Sequence, residues 1–99
     1  MSKLHNKDID RLFEAILTLE SVEECYNFFE DACTVKELLD IAQRLKAAKM
    51  LRKGVNYAEI TKETGMSTAT ISRVNRCLEY GDGGYSMILD RFDKKESKR

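Results

Sequence analysis

Apolar residues recur at intervals of three and four along most of this chain, and that spacing predicts a succession of helices. From Asp8 to Leu19, the positions Ile9, Leu12, Phe13, Ile16 and Leu17 mark one face of a first helix. Ser21 with Glu24 forms a capping box that restarts the chain, and Val22, Cys25, Tyr26, Phe28, Phe29 and Ala32 give a second helix an aromatic face. Thr34 with Glu37 repeats the device ahead of a third helix, which runs from Val35 to about Lys53 and is ended by Gly54. Over its first half, Val35, Leu38, Leu39, Ile41, Ala42 and Leu45 spread across a stripe wider than one partner helix needs. Ala47, Ala48, Met50 and Leu51 then fall on other faces, so the helix is expected to be buried from several sides. In so short a chain, a second subunit is the simplest source of that cover.

The stretch from Tyr57 to Leu78 has a different grammar. Asn56 caps a short helix with Glu59 at the capping-box position, and Gly65 stops it with a left-handed turn. Ser67 caps the next helix, in which Ile71, Val74 and Leu78 share a buried face. Thr68, Thr70, Ser72, Arg73, Asn75 and Arg76 are left on the polar side. A short helix followed by one with hydroxyls and arginines outward matches the helix-turn-helix, whose second helix enters the DNA major groove. The plain alternative is a helical hairpin with a solvated face.

Beyond it, Gly81, Asp82, Gly83 and Gly84 form a break, and Tyr85, Ile88, Leu89 and Phe92 have the spacing of a last short helix. The division expected is therefore one helical domain over residues 1–99. It comprises a dimerisation core at 8–53, a helix-turn-helix at 57–80, a C-terminal helix at 85–92 and a mobile tail at 93–99.

Formal net charge is zero, which taken alone argues against a nucleic-acid partner. Its distribution argues for one. Residues 1–43 carry only Lys3, Lys7, Arg11 and Lys36 against a long series of acidic side chains. From Arg44 to Arg76 the balance inverts: Arg44, Lys46, Lys49, Arg52, Lys53, Lys62, Arg73 and Arg76 oppose Glu59 and Glu63. Basic excess in and just before the helix-turn-helix is the electrostatic footprint of phosphate contact.

Other chemistries find little support. Cys25, Cys33 and Cys77 show no CxxC and read as small buried hydrophobes of a reducing compartment. His5 is the one histidine, so neither a metal site nor a catalytic constellation can be assembled, and no metal, cofactor or enzymatic activity is expected. Neither a membrane-span-length apolar stretch nor a signal-peptide pattern occurs, so a cytoplasmic, nucleoid-associated protein without membrane contact is expected.

The run CTVKELLDIAQRLKAAKMLRKGVNYAEITKETGMSTATISRVNRCLEYG, with STATISRV as its signature, resembles the Trp repressor superfamily, and more closely its YerC/YecD branch. The similarity extends from Ile9 to Phe92. It implies an all-α, Trp-repressor-like fold forming an intertwined homodimer, with the helix-turn-helix units as DNA-reading heads. Ser67, Thr68, Ala69 and Ser72 should then meet base edges, with Thr61 and Lys62 nearer the backbone. Arg52, Lys53, Arg73 and Arg76 are the expected phosphate contacts. Short hydroxyl and methyl side chains leave much of the readout to water and DNA shape, as in the Trp repressor itself.

The resemblance also implies an effector pocket at Thr34, Arg44, Thr70 and Arg73. Two departures stand beside it. Val74 occupies the position of a glycine, and Cys77 that of a serine which meets the ligand's amino group. A branched side chain in place of glycine and a thiol in place of a hydroxyl both disfavour tryptophan, so any small-molecule effector should be a different one. The function expected is a homodimeric, sequence-specific transcriptional regulator, a repressor, acting on a double-stranded operator. The alternatives are a helical protein-interaction or structural bundle without specific DNA binding, and a replication-initiator-type DNA module.

Overall fold

The computed structural model describes residues 5–97, and these contain six helices and no strand. They are α1 (Lys7–Ile16), α2 (Val22–Ala32), α3 (Val35–Arg52), α4 (Tyr57–Thr64), α5 (Thr68–Tyr80) and α6 (Gly84–Ser97). The chain divides into two compact units, with the division inside α3 between Leu38 and Leu39.

The first unit has well-formed helix ends and no core of its own. The Asn6 carboxamide oxygen accepts from the Ile9 N–H at 2.8 Å, and the Ser21 hydroxyl accepts from the Glu24 N–H at 3.1 Å. Thr34 and Glu37 satisfy each other reciprocally at 3.1 and 2.8 Å, a complete capping box at the start of α3. Yet neither α1 nor α2 contains a buried residue. Leu12, Phe13, Val22, Tyr26 and Val35 are exposed, and Leu17 stands 83% exposed at the end of α1. Phe28 and Phe29 meet edge to face with ring centroids 5.1 Å apart, while the rest of the aromatic face has no cover.

Two expectations about this unit need correction. α1 ends at Ile16 rather than Leu19, because the Thr18 hydroxyl donates to the Ala15 carbonyl at 2.7 Å and draws the chain into a turn. Cys25 is exposed and Cys33 only partly covered, since a face with nothing packed on it buries no thiol. In the second unit Cys77 is exposed too, on the outer side of α5.

The second unit holds the core. Ala47 and Ala48 of α3, Ile60 of α4, Ile71 and Val74 of α5 and Leu89 of α6 form one buried cluster, ringed by Leu45, Met50, Leu51, Met66 and Leu78. Two consecutive alanines give α3 a smooth face on which other helices can lie close. Gly54, with φ +81°, turns the chain from α3 into α4 in the left-handed region open to glycine. At the far end of α5 the Gly81 N–H bonds the Cys77 carbonyl at 2.8 Å, and a Cβ at Gly81 would collide with that same carbonyl.

The last helix is longer than its apolar spacing suggests. It continues through Ser97, so the stretch read as a tail is helical as far as it is described; Lys98 and Arg99 lie outside the described residues. Lys94 and Lys95 sit in its last turn, where positive charge is favourable, and Lys49 reaches Glu96 at 4.0 Å.

Candidate nucleic-acid interface

The helix-turn-helix is built by short-range chemistry. Asn56 accepts from the Glu59 N–H at 2.9 Å and starts α4; Gly65, with φ +75°, ends it and donates to the Thr61 carbonyl at 2.7 Å. Ser67 starts α5 by accepting from the Thr70 N–H at 3.2 Å, and its hydroxyl lies 3.0 Å from the Thr70 hydroxyl. Between them Thr64 does what the spacing pattern does not reveal. Its hydroxyl donates to the Ile60 carbonyl at 2.7 Å and accepts from the Met66 N–H at 3.1 Å, tying the end of α4 to the turn. A threonine just before the turn glycine was the available signal.

Buried Ile60, Ile71 and Val74 fix which side of α5 faces inward. The opposite side carries Ala69, Ser72, Arg73 and Arg76, and Ser67 and Thr68 stand at the start of α5, all six exposed. Small polar side chains cluster at the N-terminal end of α5, and two arginines follow one turn apart. This surface can accept a phosphate backbone and present short donors to base edges.

The basic residues from Arg44 to Arg76 separate into ion-paired and unpaired ones, and Arg44 of α3, exposed and without an acidic partner among the described residues, falls with the unpaired. Lys46 reaches Glu63 at 3.8 Å, Lys49 reaches Glu96, and Arg52 reaches Asp90 at 2.7 Å. Lys53, Lys62, Arg73 and Arg76 are exposed and have no acidic partner among the described residues. Three cations of α3 thus neutralise acids of the same chain, while four on or beside the helix-turn-helix keep their charge available.

Two residues expected to face DNA are engaged otherwise. Arg52 also donates to the Ser86 carbonyl at 3.3 Å, so its guanidinium is taken up within the chain. Thr61 is partly buried, and its hydroxyl is enclosed without a hydrogen-bond partner among the described residues. Asp90 had no local signal in the sequence, because it lies 38 positions from Arg52.

The residues of the expected effector pocket are dispersed in their roles. Thr34 and Glu37 cap α3, and the Thr34 amide and hydroxyl hold the Glu37 carboxyl below the usual glutamate range. Val74 is 2% exposed and forms part of the core, Thr70 is engaged with Ser67, and Arg44, Arg73 and Cys77 are exposed. A cleft of about 240 Å³ does open in the second unit, between α3 and α6. It is floored by Ala42, Leu45, Leu89 and Phe92 and includes none of these six positions. Among the described residues no group of His, Cys, Asp and Glu side chains is placed to hold a metal ion, and no helix is long and apolar enough to cross a membrane.

Comparison with known proteins gives this surface its context. Residues 7–93 match the sequence profile of the family described as Trp repressor protein. The chain is 53% identical over 98 residues to the uncharacterised protein YerC of Bacillus subtilis (strain 168), covering 99% of this chain and 94% of that one. A solved structure from Staphylococcus aureus shares 56% identity at a TM-score of 0.88, over 92% of this chain and 91% of that one. A TrpR-like protein from Eubacterium eligens ATCC 27750 shares 49% identity at a TM-score of 0.89, over 92% of this chain and 94% of that one.

Proposed function

This chain belongs to the Trp repressor family, and on that premise we propose that it is a homodimeric, sequence-specific DNA-binding transcriptional regulator, acting as a repressor in the bacterial cytoplasm. The observation that carries the proposal is the division of its cations. Lys53, Lys62, Arg73 and Arg76 lie on or beside the helix-turn-helix without acidic partners, on a chain whose net charge is zero. On a neutral protein such a patch is local in purpose. These four side chains contact phosphates and set register; Ser67, Thr68, Ala69 and Ser72 face base edges, directly or through water. Arg52 and Thr61 are left out of that set because the Arg52 guanidinium is held by Asp90 and the Ser86 carbonyl and the Thr61 hydroxyl is enclosed.

The second copy supplies cover for the apolar faces of α1, α2 and the start of α3, and it supplies the symmetry a reading head needs. Two heads related by a two-fold axis read half-sites roughly 34 Å apart, one helical turn of DNA. No chemical step is involved. Tryptophan is not the effector, because Val74 already fills its position with core. Calorimetric titration with L-tryptophan should give no saturable heat at micromolar concentration.

A gel shift on genomic fragments at increasing salt tests the reading. A subset of fragments should be retarded, with affinity falling steeply as salt rises. A protein that retards no fragment at low salt would instead be a helical interaction module.

A further inference from the structure

Arg52 closes α3 two residues before Gly54, at the entrance to the helix-turn-helix. By position it resembles a phosphate contact; by geometry it does not. One terminal nitrogen, Nη2, meets Asp90 Oδ1 at 2.7 Å and the other, Nη1, meets the Ser86 carbonyl at 3.3 Å. Both acceptors belong to α6, one turn apart. With 31% of its side chain exposed, against 45% for Lys49 and 51% for Lys46, Arg52 is the most enclosed of the three ion-paired cations in this unit.

What α6 does next gives that grip its meaning. Leu89, adjacent to Asp90, is 4% exposed and lies in the same cluster as Ile71 and Val74, the inward side of the recognition helix α5. Lys49 adds a looser tie to Glu96 farther along α6. A planar guanidinium holding two acceptors fixes orientation as well as distance, which a single ammonium contact does not. The connection therefore runs from the end of α3 through Arg52 to α6, and from Leu89 to the back of α5.

We propose that Arg52 is a positioning residue, whose grip on Asp90 and the Ser86 carbonyl sets α6 behind the recognition helix and so tunes specific DNA affinity without itself touching a phosphate. This rests on the DNA-reading function proposed above. To reach a phosphate, Arg52 would have to leave Asp90 unpaired, so little is gained by the exchange. Base readout depends on the placement of α5, whereas loose electrostatic association depends mainly on charge. Loss of the grip should act on the first and spare the second.

Asp90→Asn separates the two roles, because it removes the carboxylate charge that pairs with Arg52 and leaves the Arg52 charge in place. The probes are a duplex that the wild-type dimer selects from a random-sequence pool and an unrelated duplex of equal length. A positioning role predicts that Asp90→Asn weakens binding to the selected duplex about two- to fivefold, in keeping with one partly exposed ion pair, and does not weaken binding to the unrelated one. The reciprocal exchange Arg52→Glu with Asp90→Arg should recover part of the lost selected-duplex affinity, since the ion pair is re-formed with its signs reversed while a glutamate cannot donate to the Ser86 carbonyl. Arg52→Gln should leave the salt slope unchanged, while Lys53→Gln should lower it by about 2, one phosphate contact being lost from each protomer.

Asp90→Asn binding the selected duplex as tightly as wild type, or tighter, would overturn the positioning role, as would a salt slope lowered by about 2 in Arg52→Gln. If the wild-type protein selects no sequence at all, the DNA-reading function itself fails and this role falls with it. Selection by wild type with an unaffected Asp90→Asn defeats the positioning role alone.

Discussion

Before and after Leu38 the same local code leads to different outcomes. Both units have capped helices of ordinary length, with Asn6, Ser21 and Thr34 serving the first and Asn56 and Ser67 the second. Only the second converts them into a core: Ala47, Ile60, Ile71, Val74 and Leu89 pack together, while α1 and α2 bury nothing. Helix formation and core formation are thus separable instructions. The apolar faces of α1 and α2 stand uncovered in this chain, whereas the helix-turn-helix closes on residues close to it in sequence. Exposed apolar area of that extent is what the proposed second copy would cover.

The sharpest way to break this comparison is Phe13→Asp. Counted within one chain, Phe13 is 57% exposed and its loss should change stability by about 0.5 kcal/mol or less. As part of a shared core it should cost more than about 3 kcal/mol, and the dimer should dissociate or unfold. Sedimentation and thermal melting distinguish the two; an unchanged mass and melting temperature would show that the first unit needs no partner. Ile71→Ala probes the other side. Its fully buried side chain should cost about 2–5 kcal/mol in chemical denaturation, and a loss below 1 would mean that the second unit's core is not continuous in solution.

The smallest expected effect belongs to Thr61→Ala. An enclosed hydroxyl without a partner carries a desolvation cost of about 1–3 kcal/mol, offset by the methyl contact that alanine gives up. Stability should be unchanged or raised by up to about 1 kcal/mol, with alanine's helix propensity adding to the gain. A clear loss would mean that the hydroxyl is bonded in the assembled protein, and that the second unit also depends on its partner.

Most helix starts and stops were readable from the sequence because their chemistry is local. Asn56, Gly65 and Ser67 act on residues within four positions, and each does what its type and spacing predict. What was not readable depends on distance or on the absence of a partner. The Arg52 to Asp90 contact spans 38 positions and has no periodic signature, so nothing near Arg52 in the sequence announces its ion pair. Helix α6 outlasted its apolar spacing because Lys94, Lys95 and the Lys49 to Glu96 tie support a turn that hydrophobicity does not mark. The cysteines read as buried by their place on apolar helices, yet Cys25 and Cys77 are exposed and Cys33 is only partly covered, where no second surface meets them. Of the expected base-facing set, Ser67 and Thr68 were found exposed at the start of α5 and Ala69 and Ser72 on its exposed side, because the phase of a helix follows from its buried residues alone.

Selection of duplexes from a random-sequence pool by the full-length protein, followed by sequencing of the bound fraction, tests the two halves together. A two-fold reader should enrich a palindromic sequence with half-sites roughly 34 Å apart, and Thr68→Glu should abolish the enrichment while the dimer persists. No enriched sequence, or an asymmetric one bound by a single chain, would contradict it.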